Sequence, residues 1–215
     1  MKAMILAAGR GERMGALTAH TPKPLLTAGG HALIHYHLEN LAQAGIHDIV
    51  INVHYLGSQI QTVLGDGSAY GLHIQYSVED QLLGIGGGIH NALPLLGPEP
   101  FVVISADVWT DYPLTALPKT LNNLAHIVLV DHPPHHLFAL HAGQLSTYGR
   151  SKLDYAGFGV LHPRLFMGCS SGAFDIYPIF KSAIDQGQVS GEYYTGTWYN
   201  VGTPTILQTL NRQLL

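Results

Sequence analysis

The sequence predicts an α/β fold in which a mixed, mostly parallel sheet is flanked by helices. Apolar, β-branched runs recur along residues 1–130, and segments with helical periodicity lie between most of them. Strands that alternate with helices in this way favour parallel pairing, with helices covering both faces of the sheet. Because 47% of the 215 residues are hydrophobic, the chain can bury a sizeable core. We therefore expect one α/β domain.

Each element of residues 1–130 follows from a local pattern. Strands are expected at five apolar runs, 2–7, 48–53, 72–78, 101–106 and 125–130. The first helix, 31–44, has an apolar face at 3.6-residue periodicity and ends at Gly45. Shorter helices are expected at 58–64, 87–96 and 114–124.

The pattern changes after residue 131. The stretch HHLFALHAGQLSTYG (135–149) is typical of a hairpin, and YAGFGVLH (155–162) is typical of a further strand. A helix at 176–186 and a closing helix from Pro204 complete the predicted elements.

The composition excludes several classes of protein. The net charge is −4 without any basic block, and aromatic residues are spread out, which argues against extended binding to nucleic acid. No segment reaches the ~20 apolar residues of a membrane span, and the first apolar run is too short for a signal peptide. The single cysteine, Cys169, rules out an intramolecular disulfide and favours a reducing compartment. We therefore expect a cytoplasmic protein.

The first predicted strand leads into the glycine-rich segment LAAGRGERMG, which indicates phosphate binding. Its glycines follow the pattern G-x-G-x-x-x-G, one residue longer than the dinucleotide fingerprint. Pro22 and Pro24 would break the helix that this fingerprint requires, and no Gly-Lys-Ser/Thr follows as in a P-loop. We expect instead a long, extended loop that brings Arg10, Arg13 and Lys23 to one point, where a triphosphate would fit.

A series of motifs resembles the sugar-1-phosphate nucleotidyltransferases, also called nucleotide-sugar pyrophosphorylases. The motifs are LAAGRGERM, TPKPLL, LLGIGGGI (82–89), ISADVW (104–109) and TWYNVGTP (197–204). Three further stretches most resemble the bacterial N-acetylmuramate 1-phosphate uridylyltransferases, namely LVDHPPHH, GVLHPRLF and VSGEYYTGTWYNVGT. The resemblance implies one Rossmann-like nucleotidyltransferase domain over 1–215, with a nucleotide-binding core at 1–130 and a sugar-phosphate-binding part at 131–215.

The implied reaction joins a nucleoside triphosphate, UTP in the favoured case, to a sugar 1-phosphate, N-acetylmuramate 1-phosphate in the favoured case. Pyrophosphate leaves, Mg²⁺ is the cofactor, and the setting is cell-wall sugar recycling. The sugar phosphate is largely dianionic at neutral pH because its second pKa is about 6, so no catalytic base is needed. The alternatives are a mannose-1-phosphate guanylyltransferase, a glucose-1-phosphate thymidylyl- or uridylyltransferase, and a non-catalytic nucleotide-binding regulatory homologue. A dinucleotide-dependent oxidoreductase rests on the glycine spacing alone.

The resemblance assigns a nucleotide site. Arg13, Lys23 and Asp107 are the catalytic residues, with Lys23 on the phosphates and Arg13 on the β- and γ-phosphates. The remaining nucleotide contacts are Ala8, Gly9, Gly11, Glu12, Gln81, Gly86 and Gly87. Gly86 and Gly87 would let the backbone lie flat against the base or ribose. Gln81 either reads the base edge or is an exposed loop residue, and Arg10 is either a ligand or a solvated side chain.

The implied metal ligands are Asp107 and Asn200. Asp107 follows a predicted strand at the sheet edge where α/β proteins bind ligands, although a turn or N-cap aspartate is the alternative. Asn200 stands where the family has a second aspartate, and its neutral carbonyl is a weaker Mg²⁺ ligand. Ile85 likewise stands where the family commonly has threonine.

The sugar side is assigned less completely. Gly157 and Glu192 are the implied sugar contacts, and a surface carboxylate is the alternative for Glu192. The Glu-Lys-Pro tripeptide of larger relatives is missing, and Arg150 or Lys152 is the suggested substitute for its lysine. The fourteen histidines, including His132, His135 and His136, lack zinc spacing and are expected to be scattered. The expected assembly is a monomer or small homo-oligomer, without nucleic acid or membrane partners.

Overall fold

A nine-stranded sheet runs through the protein, whose computed structural model describes residues 1–132, 137–149 and 153–215. The strands are β1 (Ala3–Leu6), β2 (Thr27–Ala28), β3 (His31–Ala32), β4 (Asp48–Val53), β5 (His73–Val78), β6 (Phe101–Ser105), β7 (Val108–Thr110), β8 (Ala125–Val130), β9 (Ala139–His141), β10 (Gln144–Ser146), β11 (Asp154–Leu161), β12 (Val189–Tyr193) and β13 (Trp198–Asn200). The helices are α1 (Leu33–Gln43), α2 (Gly57–Leu64), α3 (Gly84–Leu96), α4 (Tyr177–Asp185) and α5 (Pro204–Leu214).

The strand order of the large sheet is β5-β4-β1-β6-β11-β8-β12-β10-β9. Its first four strands are parallel to one another, whereas β11 is antiparallel to both β6 and β8. Strands β7 and β13 form a separate antiparallel pair, as do β2 and β3. The predicted mixed, mostly parallel sheet is thus confirmed, and β11 places the C-terminal part of the chain within the same sheet as the N-terminal part.

Alternation along the strands divides the apolar core between the two faces of the sheet. In β1, Ala3 and Ile5 belong to the layer that is covered by α1 and α2, whereas Met4 belongs to the layer that is covered by α3 and α4. This is the period-2 pattern of a strand that is buried on both faces. The apolar runs of the sequence are nearly continuous because both faces of these strands are buried.

Most predicted elements are confirmed within a few residues, and those at 48–53 and 125–130 coincide with β4 and β8. The predicted hairpin is confirmed in its described part, where β9 and β10 pair through Ala142 and Gly143. Both turn residues have positive φ, 49° and 79°, as a two-residue hairpin turn requires.

Two expectations are wrong. The helix predicted at 114–124 is reduced to a 3₁₀ turn at Leu114–Ala116, because Leu117 is extended (ψ 140°) before Pro118. The loop after β1 is not extended either. It forms 3₁₀ turns over Glu12–Thr18, interrupted at Gly15 (φ 59°, ψ −129°), and a further 3₁₀ turn at Lys23–Leu25.

Helix α5 attaches the end of the chain to this loop. Val201 and Leu210 form a small buried cluster with Met14 and Leu26 from the N-terminal loop. Thr203 caps the helix, since its hydroxyl accepts a hydrogen bond from the Ile206 N–H. The C-terminal segment thereby fixes the loop that follows β1. None of the described helices has the length and apolarity that crossing a membrane demands.

His37 is a buried histidine of α1 that lies beneath the carboxyl end of β6. Burial lowers the pKa of His37 to about 4, against the opposing effects of the Asp107 charge and of backbone hydrogen bonds at Val108 and Ala106. The native protein therefore keeps this imidazole neutral at pH values where the unfolded chain protonates it.

This difference predicts acid destabilisation. Because the folded pKa of about 4 lies below the unfolded value of 6.5, the stabilisation is complete above pH 6.5 and is lost as pH falls toward 4. Between about pH 7 and about pH 5, the free energy of unfolding should fall by about 2 kcal/mol through His37. Urea unfolding of wild type and His37→Leu at both pH values measures this contribution. The exposed His20, replaced by Gln, is the control and should keep the wild-type slope; an unchanged slope in His37→Leu would contradict the prediction.

Candidate active site

A cavity of about 490 Å³ opens at the carboxyl ends of β1, β4, β5 and β6. The strand ends contribute Ala7, Asn52, Glu79, Ser105 and Asp107 to its wall. Parallel strands that end at one sheet edge leave a crevice there between their loops, and α/β proteins commonly bind ligands in that crevice. The cavity occupies this place.

The loop after β1 supplies most of the remaining wall. Its lining residues are Ala8, Gly9, Arg10, Gly11, Glu12, Arg13, Lys23 and Pro24. Gly11 has a φ of 64°, and a Cβ there would lie 3.2 Å from the Lys23 Cβ. Only glycine therefore suits this position, since it gives both the left-handed backbone and the room for the lysine stem. The structure brings to the cavity every residue of the predicted nucleotide site that lies on the loop after β1.

Lys23 and Asp107 meet inside the cavity although 84 positions separate them. The Lys23 Nζ lies 2.6 Å from Asp107 Oδ2, and the lysine side chain is only 11% exposed. The expectation that both residues lie at the same sheet edge is confirmed. Arg13 packs beside Gly202, where a Cβ would lie 2.9 Å from the Arg13 Nη2. Gly202 thus makes room for the guanidinium.

Two buried polar residues of the cavity wall, Asn52 and Glu79, were missed by the sequence reasoning. Asn52 Oδ1 accepts a hydrogen bond from the Ala7 N–H at 2.9 Å, and its Nδ2 donates to Glu79 Oε1 at 2.7 Å. Glu79 Oε2 in turn accepts from the Leu83 N–H at 3.2 Å. A polar residue near the end of an apolar strand was the available signal for Asn52.

Asn200 lies next to Asp107 on a neighbouring chain segment. In the β7–β13 pair Asn200 stands opposite Val108, and the Val201 N–H donates to the Asp107 carbonyl at 2.7 Å. Asn200 is outside the cavity lining. Its Oδ1 is buried and has no hydrogen-bond partner within the described ranges. The structure therefore brings the two predicted metal ligands close in the fold and leaves one of them with an unused acceptor.

Gly86 and Gly87 are buried in α3 and lie outside the cavity lining, and their contacts with the nucleotide stay predictions. A Cβ at Gly86 would lie 2.5 Å from the Phe174 ring, and one at Gly87 would lie 2.3 Å from the Gly172 carbonyl. Protein packing by itself thus requires the lack of a side chain at both positions. Leu82, Gly84 and Ile85 are the residues of the LLGIGGGI motif that reach the cavity.

The other predicted contacts also lie outside the cavity lining. Gln81 is exposed. Gly157 lies next to the lining residue Ser105, since a Cβ there would be 3.3 Å from the Ser105 Oγ. Glu192 accepts a hydrogen bond from the Tyr112 hydroxyl at 2.5 Å, and burial, followed by this hydrogen bond, raises the pKa of Tyr112. The sugar-binding roles of Gly157 and Glu192 stay predictions.

Several predictions fall on residues that the structure does not describe, namely Arg150, Lys152, His135 and His136. Within residues 1–132, 137–149 and 153–215, no three His, Cys, Asp or Glu side chains are grouped so that they could hold a metal ion. A divalent ion at Asp107 would accordingly need further oxygen ligands, such as an amide carbonyl, water or a bound molecule.

Comparisons with known proteins agree with the motif series. Residues 2–137 match the family model described as nucleotidyl transferase. The chain is 46% identical to a Neisseria meningitidis serogroup B protein named N-acetylmuramate alpha-1-phosphate uridylyltransferase, over 94% of each chain. A Caulobacter vibrioides protein of the same name is 31% identical, over 94% of this chain and 92% of that relative. A mannose-1-phosphate guanyltransferase from Aspergillus fumigatus is 30% identical over 95% of this chain and 61% of its own length.

The fold has a close counterpart among solved structures. A Bacillus anthracis protein assigned as a glucose-1-phosphate thymidylyltransferase, crystallised with a sucrose, matches with a TM-score of 0.86 at 23% identity, over 100% of this chain and 95% of that one. The architecture, the order of the motifs and the full-length relatives all point the same way. The chain belongs to the nucleotidyl transferase family, among its sugar-1-phosphate nucleotidyltransferases.

Proposed function

We propose that this protein transfers a uridylyl group from UTP to N-acetylmuramate 1-phosphate and releases pyrophosphate, with Mg²⁺ as its cofactor. The observation that carries the reaction class is the Lys23–Asp107 ion pair, 2.6 Å long, inside the cavity that the signature loop forms. The substrate choice is supported by the relative of 46% identity, which matches along almost the whole chain.

The reaction requires two polyanions to meet. A phosphate oxygen of the sugar 1-phosphate attacks the α-phosphorus of UTP, and the bond from this phosphorus to the bridging oxygen breaks as pyrophosphate leaves. Catalysis then consists of positioning and of charge stabilisation. Arg10, Arg13 and Lys23 supply three cationic side chains along the cavity wall, and the glycine-rich loop allows close approach of its backbone.

The Lys23 ammonium is placed so that it can leave the Asp107 carboxylate and bind the phosphates of a nucleotide. Its ammonium is held by the Asp107 carboxylate, which is 33% exposed on the cavity side. A triphosphate in the cavity offers the same ammonium stronger, multiply charged acceptors. We expect the lysine to turn to the phosphates when the nucleotide binds, so that the cation stays buried without losing an anionic partner.

Asp107 and Asn200 fit a Mg²⁺ ion. Their side chains offer hard oxygen atoms, and the Asn200 Oδ1 is a buried acceptor without a hydrogen bond among the described residues, which is uncommon unless a ligand satisfies it. When bound, Mg²⁺ would neutralise charge that develops on the phosphate oxygens. Asp107 and Asn200 would hold it together with oxygens of the substrate.

The two ends of the cavity differ in chemistry. The cations and Asp107 lie on the loops after β1 and β6, whereas Leu82, Gly84 and Ile85 line the end next to β5. Glu79 also lines that end, but its carboxylate oxygens are occupied by the Asn52 amide and the Leu83 N–H. We assign the cationic end to the phosphates and the apolar end to the base, because apolar walls with exposed backbone suit a flat ring. Gly157 and Glu192 stay the proposed sugar contacts.

Assays of the purified protein decide the proposal. Pyrophosphate release is measured with each nucleoside triphosphate, Mg²⁺ and a panel of sugar 1-phosphates, and the product is identified by mass spectrometry. UTP with N-acetylmuramate 1-phosphate should give the highest kcat/KM. A preference for GTP with mannose 1-phosphate, or for dTTP with glucose 1-phosphate, would replace the substrate assignment. Nucleotide binding without turnover on any pair would favour a regulatory homologue. The proposed cellular setting is cell-wall sugar recycling in the cytoplasm.

Removal of either cation should cripple turnover. Lys23→Met keeps the stem that packs at Gly11 but removes the ammonium, and Arg13→Ala removes the guanidinium. Each should lower kcat/KM by about 10²–10³-fold, the usual effect of a lost charge-assisted contact in a transition state. Lys119→Met, at an exposed lysine outside the cavity, is the control. Thermal unfolding checks the folds, and near-normal rates in both cavity variants would show that the phosphates bind elsewhere.

Asn200→Asp should shift the Mg²⁺ titration of activity to lower concentration. A carboxylate holds Mg²⁺ more strongly than a carbonyl, and a change in the ligand shell typically alters metal affinity by about tenfold or more. Asn200→Ala is the matched control and should shift the titration in the opposite direction. If neither variant moves the titration while Asp107→Asn abolishes activity, Asp107 alone anchors the ion.

A further inference from the structure

The glycines of the GIGGGI motif are required by residues 172–175, a segment that leads into α4. A Cβ at Gly86 would lie 2.5 Å from the Phe174 ring, and one at Gly84 would lie 2.8 Å from the Phe174 carbonyl oxygen. At Gly87 a Cβ would lie 2.3 Å from the carbonyl oxygen of Gly172. None of these positions has room for a side chain, because the segment is packed directly on the first turn of α3.

The backbone of Phe174 also completes this turn. Its N–H donates to the Leu83 carbonyl at 2.9 Å, and its carbonyl accepts from the Gly87 N–H at 3.1 Å. The Leu83 carbonyl and the Gly87 N–H are also the two ends of the first i→i−4 bond of α3, which begins at Gly84. Phe174 thus hydrogen-bonds to both ends of this bond, and its ring packs edge-on against His90 with centroids 6.0 Å apart.

The first turn of α3 needs such support. Four of its first five residues are glycine, and Leu83 at the N-cap makes no side-chain capping bond. Glycine is about 1 kcal/mol less favourable than alanine in a helix, and an uncapped end leaves backbone groups unsatisfied. Without the docked segment, this turn would fray.

The same turn carries the wall of the apolar end of the cavity. Leu82, Gly84 and Ile85 line the cavity, whereas Phe174 does not. Phe174 therefore touches the wall from behind, and any effect that it has on a ligand must pass through the shape of residues 82–85. This property defines a positioning residue rather than a catalytic one.

We propose that Phe174 is a positioning residue for the nucleotide base: it holds the first turn of α3 in the shape that receives the base. The inference rests on the proposed function, since it takes the apolar end of the cavity as the base site. Nucleotide binding then depends on a side chain that lies 67 positions beyond Asp107 in the sequence and touches no substrate.

The first test measures how the loss of the Phe174 ring changes the affinity for the nucleotide. Phe174→Ala should weaken UTP binding, measured by calorimetry without sugar phosphate, by about 10-fold to 100-fold, as a small displacement of a binding wall does. The KM for the sugar 1-phosphate should change much less. Phe174→Leu, which keeps an apolar side chain, should recover most of the affinity. Tyr177→Ala is the matched control, because this nearby ring packs on Phe138 (centroids 5.8 Å apart) and contributes none of the atoms nearest to Gly84, Gly86 or Gly87.

The second test uses the contact between Gly86 and Phe174. Gly86→Ala should weaken UTP binding because its methyl group displaces the Phe174 ring. In the Phe174→Ala background the clash with the ring is gone and only the contact with the Asp175 backbone carbon at 3.0 Å remains, so the two effects should be less than additive. Hydrogen exchange of the amides at 84–88 should be faster in Phe174→Ala than in wild type, whether or not nucleotide is present.

The outcomes separate the inference from the proposed function. Unchanged UTP affinity in both Phe174→Ala and Gly86→Ala would overturn the positioning role, as would an equal loss in Tyr177→Ala. Additive effects in the double variant would also count against it. If the wild-type protein binds no nucleoside triphosphate, the proposed function fails, and unchanged hydrogen exchange at 84–88 would then overturn the docking role as well.

Discussion

The buried side chain of Asn52 joins the strand ends on which the cavity is built. It accepts a hydrogen bond from the Ala7 N–H after β1 and donates one to Glu79 after β5. Glu79 continues the chain of contacts to the Leu83 N–H, just before α3. A buried polar group that loses its partner costs about 1–3 kcal/mol, so this network keeps β1, β4, β5 and α3 in one relative arrangement. The shape of the cavity depends on it.

Cationic side chains are scarce in this protein, with ten lysines and arginines in 215 residues. Three of them, Arg10, Arg13 and Lys23, line the cavity at the strand ends. A weakly charged surface provides little long-range attraction for a triphosphate, so binding must rest on local placement. The ion pair with Asp107 supports this placement, because it keeps the Lys23 ammonium paired while the site is without nucleotide.

Glycines shape the cavity for different reasons at its two ends. Gly11 has positive φ and makes room for the stem of Lys23 at the cationic end. At the other end, Gly86 makes room for Phe174, and a Cβ at Gly88 would lie 2.7 Å from Glu79 Oε1. Helix α3 is thus held on one side by the Asn52–Glu79 network and on the other by the segment that leads into α4. The glycines at 84–88, whose sequence is typical of a ligand-binding loop, thus pack closely against other parts of the protein.

The sequence by itself determined the mixed, mostly parallel character of the sheet, most element bounds and the family. It also determined the glycine-rich loop that brings Lys23 to the sheet edge where Asp107 lies. These features depend on local periodicity, on proline and glycine chemistry, and on motifs of contiguous residues. The helix expected at 114–124 failed because Pro118 outweighed the apolar pattern. Only the tertiary structure decided that Asn52 and Glu79 face the cavity and that Gly86 faces Phe174. Those contacts join residues far apart in the chain, and their partners are chosen by packing, which no local pattern records.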